Sequence, residues 1–234
     1  RFSCTSPPNR GVLIDDLKIK PLEPQQITKM AVVPVTLPAL VGTRASALLK
    51  FRVDVEGSLE PISITKLTAK LRGTTDIEDI ETVGIYFSGG KSSFSIDTPV
   101  GKPVKPGSAG EFDVSTDQPL AEGANYFWIA CALKKSANID HLVGASLISI
   151  TSSNGKTVKL NSAPSIQRMG VAVRQHGDDG VHTYRIPGLA TTRAGTLIGV
   201  YDIRHANGGD LPGHIDVGMS RSTDGGRTWE PMKV

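Results

Sequence analysis

The feature that most constrains the fold of this chain is a two-residue alternation of apolar and polar side chains in short segments. In residues 48–55, "LLKFRVDV", the residues between the apolar ones are charged, which is the period of a half-buried strand. The same alternation recurs in segments that begin at Ile62, Thr82, Glu111, Leu147 and Lys156. The segment "NYFWIACALK" is apolar on both faces, as a central strand would be. With turn clusters between the segments and no convincing helix, the sequence predicts an all-β chain that starts with an antiparallel β-sandwich.

Changes in composition and in apolar periodicity along the chain predict three regions. Residues 1–28 are polar and proline-bearing, and we expect an extended lead-in. Residues 29–163 are predicted to form the sandwich, because the apolar periodicity stops within "LNSAPS" at residues 160–165. Within the sandwich we expect the following side chains to be buried: Phe51, Val53, Ile85, Phe87, Ile129 and Cys131.

Residues 164–234 have the pattern of one blade of a β-propeller. Short strands are predicted in "MGVAVRQ", "TYRIPGLATT", "TLIGVYDI" and "IDVGMSRS", and a tight turn then leads to Thr228-Trp229. One long loop, "RHANGGDLPGH", interrupts this meander. Four meandering strands are typical of a single propeller blade.

Composition excludes several classes of function. The net charge is only +3 and the basic residues are scattered, which argues against a nucleic-acid partner. No apolar stretch approaches the ~18 residues that a membrane span needs. The two cysteines, Cys4 and Cys131, fit neither a disulfide framework nor a zinc site, and no cofactor or metal is predicted. Cys131 is expected to be a small buried apolar residue, while a lipid-bearing Cys4 is the weaker alternative.

A turn near the end of the sequence has the spacing S-x-D-x-G-x-T-W, which is the Asp-box pattern. The residues that carry it are Ser222, Asp224, Gly226, Thr228 and Trp229. Asp224 can accept backbone N–H groups of its own turn, glycine supplies positive φ, and Trp229 can pack beneath the hairpin. We therefore expect a structural role, with Asp224 far from Arg185 and Trp229 largely buried.

Upstream of this turn, "YRIP" and "YDIRHANGGD" resemble two motifs of sialidases (exo-α-neuraminidases). The resemblance implies that Arg185 belongs to an arginine cluster that grips the carboxylate of sialic acid, that Arg204 lines the pocket, and that Asp210 is the acid/base catalyst. A guanidinium suits this task because it is always protonated and pairs bidentately with a carboxylate. The structural alternatives are an Arg185 buried against Asp202 or Asp216, and a merely solvated Asp210 whose role belongs to Asp216.

The resemblance also implies a reaction. Such sialidases are retaining exo-glycosidases that release terminal α-linked sialic acids from glycans, with a tyrosine nucleophile and a glutamate partner. The sandwich more loosely resembles the domain that precedes the propeller in sialidases of gut Bacteroides-type bacteria. An extracellular, periplasmic or cell-surface location follows from this class of substrate.

The chain is expected to be the N-terminal part of such an enzyme. A propeller of about six blades needs about 40–45 residues for each blade, and one blade is predicted here. The nucleophile and the other arginines are therefore expected beyond Val234, on a missing C-terminal part or a second polypeptide, and residues 1–234 alone are predicted to be inactive. The alternative is a non-catalytic Asp-box propeller that binds glycans, which would explain the Asp box but not Arg185, Arg204 and Asp210 together.

Overall fold

The computed structural model describes residues 22–234, and residues up to Gly170 form two packed sheets. The first sheet contains, in spatial order, β1 (Gln26–Pro34), β3 (Ser46–Glu56), β8 (Gly123–Leu133), β5 (Ile80–Gly89) and β6 (Pro99–Val104). The second contains β2 (Ala39–Leu40), β11 (Ser165–Gly170), β9 (Leu142–Ser152), β4 (Ser63–Lys70) and β7 (Glu111–Pro119), with β10 (Thr157–Lys159) paired to β9. Pairing is antiparallel throughout except for the short contact of β11 with β2. The predicted β-sandwich is confirmed.

Side chains from the inner faces of both sheets make one hydrophobic core. Burial alternates along β3 as predicted, and β8 lies at the centre of the first sheet, which explains its two apolar faces. The rings of Phe51 and Phe127 stack with centroids 5.0 Å apart. Of the predicted core residues, all are buried except Phe87, which is partly buried and packs against Phe127. Burial also raises the pKa of the Cys131 thiol to about 12, so this cysteine is an unreactive part of the core.

Helix is almost absent from residues 22–234. The described part contains two 3-10 helices of three residues each, Ile77–Asp79 and Asp178–Gly180. Among the described residues no helix has the length and apolar character of a membrane span. The prediction of no long helix between residues 30 and 160 is confirmed.

Both predicted edges of the sandwich need correction. Strand β1 begins at Gln26, within the predicted lead-in, and the Gln25 side chain beside it donates to Leu120 O and accepts from the Ile62 N–H. Residues 1–21 of the lead-in, with Cys4, lie outside the described residues. At the other edge, the predicted propeller strand "MGVAVRQ" is not formed. Its place is taken by β11, which pairs with β9 and β2 and so extends the sandwich to Gly170.

A separate three-stranded antiparallel sheet follows. It contains β12 (Thr183–Thr191), β13 (Leu197–Arg204) and β14 (Ile215–Ser222). Beside β14, the Glu230 N–H donates to Arg221 O, and Lys233 and Met219 exchange backbone hydrogen bonds. A segment after the Asp-box turn thus pairs with β14 at residues 230–233, and it was not among the four strands predicted for the blade. One face of this sheet is covered, since Tyr201 and Ile203 are buried together with Val181.

Candidate active site

A β-bulge shapes β12 where the "YRIP" motif lies. Arg185 is opposite Asp202 and Gly188 is opposite Val200, so that two residues, Ile186 and Pro187, face one residue of β13. Ile186 has a φ of 52°, which is strained for a β-branched residue. Bulges redirect side chains and occur next to active sites. The strand is also largely exposed, because it forms the edge of its sheet.

The Arg185 side chain is 44% exposed and uses only part of its hydrogen-bonding capacity. Its Nη1 donates to Gly208 O at 2.9 Å and lies 3.6 Å from Asp210 Oδ1. No other hydrogen bond of this guanidinium is found within residues 22–234. Neither structural alternative for Arg185 describes these contacts. The side chain is not buried, and within residues 22–234 its ion pair is with Asp210 and not with Asp202 or Asp216.

Arg204, at the end of β13, is almost fully buried, with 2% of its surface exposed. Its Nη1 donates to the carbonyl oxygens of Gly208 and Gly209, and its Nη2 lies 3.0 Å from Asp202 Oδ2. A buried charge is tolerated only when it is paired and hydrogen-bonded. Arg204 meets this condition through Asp202 and through the backbone carbonyls of the β13–β14 loop. Its Nε is buried without a partner in the described part of the chain.

Asp210 completes the cluster from the β13–β14 loop. Its Oδ1 lies 2.7 Å from Arg204 Nη2 and 3.6 Å from Arg185 Nη1, while the side chain stays 77% exposed. The hydrogen bond and charge of Arg204, with the charge of Arg185, hold the pKa of the Asp210 carboxyl below its usual range. The structure therefore brings together the three side chains that the motifs singled out, and it holds Asp210 in its ionised form.

Asp216 lies on the other face of the sheet. Asp216, in β14, pairs with Ile203 of β13, which lies between Asp202 and Arg204. Because side chains alternate between faces along a strand, Asp216 faces the opposite side from Arg204. Its carboxylate contacts His205 at 2.9 Å. Of the two aspartates that competed for the acid/base role, only Asp210 lies beside the arginines.

The two tyrosines of this sheet make structural contacts. Tyr184 OH donates to Asp178 O, and its ring meets that of Tyr201 edge to face at 5.3 Å. Burial, with the nearby charge of Asp179, raises the pKa of the Tyr184 hydroxyl. The buried Tyr201 hydroxyl is 2.7 Å from Ser220 Oγ. Neither tyrosine has the activated hydroxyl that a nucleophile needs.

Arg174 supports this pair of tyrosines and was not singled out in the sequence. Its guanidinium lies 6.0 Å from the Tyr201 ring centroid, Nη2 donates to Glu230 O, and Nε is 3.1 Å from Asp179 Oδ2. It lies within the segment "MGVAVRQ", which the sequence predicted as a strand, and a charged side chain at this position is ordinary for such a pattern.

The Asp box forms the hydrogen bonds that its spacing predicts. Asp224 Oδ1 accepts from Ser222 Oγ at 2.8 Å and from the Thr228 N–H at 3.0 Å, and Oδ2 accepts from Thr228 Oγ1 at 2.6 Å. Gly226 has a φ of 89°, and its N–H donates to Ser222 Oγ. Trp229 packs over Gly199 but is only partly buried.

The Asp box and the arginine cluster lie at opposite ends of the sheet. Ser222 pairs with Leu197 at the start of β13, whereas Ile215 pairs with Arg204 at its end. Seven residues of extended strand separate the two ends by about 23 Å. Arg227 of the Asp-box turn instead contacts the sandwich, with Nη2 2.7 Å from Asp140 Oδ2. The motif thus serves the sheet and its contact with the sandwich.

The bonds to Thr228, with that to Ser222, hold the pKa of the Asp224 carboxyl well below its usual range. Because the folded-state pKa is depressed, the stabilisation is complete above pH ~4 and is lost as the pH falls toward the folded-state pKa. We expect Asp224→Asn to lower the melting temperature at pH 7, and the difference from wild type to shrink below pH ~4. Thermal melts followed by circular dichroism across this range measure both effects.

The matched control is Asp117→Asn, which changes an exposed aspartate of β7 for which the described residues provide no ion pair or side-chain hydrogen bond. We expect no such pH-dependent difference for it. A destabilisation by Asp224→Asn that is the same at every pH would show that the carboxylate charge is not what the turn uses.

Comparisons with known proteins point to one family. The family described as "N-terminal domain of BNR-repeat neuraminidase" matches residues 26–157. A sialidase of Bacteroides fragilis (strain YCH46) is 35% identical over 225 residues, an alignment that covers 85% of this chain and 41% of that protein. A sialidase of Micromonospora viridifaciens is 40% identical over 80 residues, covering 34% of this chain and 12% of that protein.

A solved structure extends the similarity beyond the sandwich. The Hadza microbial sialidase Hz136 superimposes with a TM-score of 0.71 at 29% identity, over 87% of this chain and 43% of that one. The chain therefore spans less than half the length of the Bacteroides relative and of this structure.

Proposed function

Because the chain belongs to the family of BNR-repeat neuraminidases, we propose that it is the N-terminal part of a retaining exo-sialidase that releases terminal α-linked sialic acids from glycoconjugates. The observation that carries this proposal is the convergence of Arg185, Arg204 and Asp210 at one end of the β12–β14 sheet. Sialylated glycans are the proposed partners, and their place outside cells gives the proposed location, which is extracellular, periplasmic or at the cell surface.

The contacts of Arg185 support a role in carboxylate recognition. A carboxylate, that of Asp210, already lies against both guanidiniums. Arg185 holds it loosely at 3.6 Å and is exposed, so an incoming carboxylate can take its place at this guanidinium. Arg204 is buried and bound to the loop backbone, which suits it to shape the pocket wall.

The charge state of Asp210 suggests how substrate binding could prepare it to act as a general acid. As held here, Asp210 is ionised and is a poor proton donor. A substrate carboxylate that pairs with Arg185 would remove part of the positive charge that depresses the pKa of Asp210. The pKa of Asp210 would then rise toward its usual range, which favours protonation of the leaving oxygen, and the resulting carboxylate could activate water for the second step.

The uncovered face of the sheet supports the proposal that further propeller blades complete the site. Val200 is 39% exposed and Val217 is 67% exposed, and both lie on the face that carries Arg185 and Arg204. Apolar side chains on one strand face are normally covered by a second layer. We propose that later blades of the propeller cover this face and supply the remaining arginines, the nucleophilic tyrosine and its glutamate.

The proposal predicts different behaviour for the complete protein and for residues 1–234. We expect the complete protein to release sialic acid from sialyl-lactose, with the α-anomer appearing first in a time course followed by proton NMR. Residues 1–234 alone should neither hydrolyse it nor bind free sialic acid at micromolar concentrations in calorimetry. The reason is that a solvent-exposed guanidinium pair with a carboxylate contributes only ~1 kcal/mol or less.

Two outcomes would count against this function. Release of the β-anomer first would exclude a retaining mechanism. Micromolar binding of sialic acid by residues 1–234 would move the recognition site into the sandwich, and would contradict the proposal that later blades must complete the site.

A further inference from the structure

Three side chains at the base of the β13–β14 loop converge on one point. His205 directly follows β13, His214 directly precedes β14, and Asp216 is in β14. His205 Nε2 is 2.9 Å and His214 Nε2 is 3.6 Å from the same oxygen, Asp216 Oδ2. One ligand atom from each residue lies within 4.8 Å of the others. The cluster is on the opposite face of the sheet from Arg204, so the proposed sialidase site does not use it.

These distances fit the coordination geometry of zinc. Bonds of about 2.0–2.1 Å to nitrogen and oxygen in a tetrahedral site place neighbouring ligand atoms about 3.3 Å apart. The two measured distances, 2.9 Å and 3.6 Å, lie on either side of this value. The two rings stack with centroids 4.3 Å apart and an interplanar angle of 22°, and both present Nε2 to the same carboxylate oxygen.

Residues 22–234 contain a second cluster that meets the same distance criterion, formed by Asp76, Asp79 and His141. The positions of its carboxylates are explained by backbone hydrogen bonds. Asp76 Oδ1 accepts the Glu78 N–H, and Asp79 Oδ1 accepts the Asn138 N–H. Its carboxylates thus stabilise the local backbone. By contrast, no described backbone N–H binds the Asp216 carboxylate, and its neighbours are both metal-ligand side chains.

We propose that His205, His214 and Asp216 form a binding site for a zinc-like divalent cation, with solvent filling the remaining coordination positions. Two imidazoles favour zinc over calcium or magnesium, which prefer oxygen ligands. The cation would join the two ends of the loop that carries Asp210, where the His205 N–H already donates to His214 O at 3.4 Å. This proposal replaces our expectation from the sequence that the chain has no metal site.

Calorimetric titration of zinc chloride into the metal-free chain, in a non-chelating buffer at neutral pH, tests the proposal. We expect one zinc per chain with a micromolar or tighter Kd. His205→Ala and Asp216→Asn should each weaken binding at least about tenfold, because each removes one of three protein ligands. The matched control is His182→Ala, which removes an exposed histidine directly before β12 that is outside the cluster and should leave the Kd unchanged.

Circular dichroism of each variant checks that the fold is kept, and a metal-free His205→Ala/His214→Ala double variant that is folded but binds no zinc would support the site. Absence of zinc binding by the wild-type chain would overturn the proposal, and so would a wild-type affinity retained in the double variant. Calcium binding with equal affinity would also contradict it, because two imidazole ligands should favour zinc over calcium.

Discussion

Replacement of Asp210 by asparagine in the complete protein is expected to slow the hydrolysis of natural sialosides by about 10²–10⁴-fold, the usual contribution of a general acid or base. Natural sialosides have alcohol leaving groups, which need a proton as the glycosidic bond breaks. Aryl sialosides have better leaving groups and need less acid assistance, so their hydrolysis should fall much less. The measurement is kcat/KM for sialyl-lactose and for an aryl sialoside, each with wild type and Asp210→Asn.

Comparison variants make this test specific. Asp117→Asn, in the sandwich, should leave both rates unchanged. Asp216→Asn tests the alternative acid/base residue. Because Asp216 lies on the opposite face from Arg204, we expect this variant to lose less activity than Asp210→Asn. Equal losses of Asp210→Asn on both substrates would argue against an acid role. A larger loss on sialyl-lactose in Asp216→Asn would transfer that role to Asp216.

The alternating pattern was sufficient to predict the sandwich, because a period of two specifies which side chains face the core. It placed the buried residues of β3 and the central strand β8 correctly. It could not assign strands to sheets. Residues 164–170 were assigned to the propeller, but those that form β11 pair with β9 and β2 of the sandwich. Pairing between strands distant in sequence depends on which edge is free, and no local pattern records this.

Sequence motifs were sufficient to predict the residues of the candidate site, but they did not predict the backbone geometry around it. The resemblance to sialidase motifs singled out Arg185, Arg204 and Asp210, and the structure brings these side chains together. The bulge at Ile186 and Pro187 could not be predicted, since it depends on the register against β13. The cluster of His205, His214 and Asp216 also escaped notice. Its members are separated by a loop in sequence and meet only because β13 and β14 are antiparallel neighbours.

The contacts of Asp210 connect the two halves of the proposed mechanism. In the unliganded arrangement, the same arginines bind the catalytic carboxylate and lower its pKa. The substrate carboxylate and the Asp210 carboxylate therefore compete for one positively charged surface, and binding of the substrate favours release of Asp210. This coupling requires that Arg185 recognise the substrate through its carboxylate, and that requirement can be tested directly.

We expect Arg185→Lys in the complete protein to weaken binding of sialic acid about 10–100-fold. The lysine keeps the charge, but a single ammonium cannot reproduce the planar fork that pairs with both carboxylate oxygens. A hydrogen bond to a charged group contributes about 1.5–3 kcal/mol, and about 1.4 kcal/mol corresponds to a tenfold change in Kd. In the structure the Arg185 fork has one hydrogen bond, from Nη1 to Gly208 O, so most of its donors are open to a ligand.

Calorimetry with two ligands separates carboxylate recognition from a general disturbance of the site. The loss should be seen with sialic acid and should nearly vanish with an analogue whose carboxylate is reduced to a hydroxymethyl group, because that analogue offers no bidentate partner. Arg193→Lys, in the exposed turn between β12 and β13, makes the same chemical change at the other end of the hairpin and should bind both ligands as wild type does. If Arg185→Lys weakened both ligands equally, Arg185 would act by supporting the loop at Gly208, and the substrate carboxylate would have to be recognised by other residues.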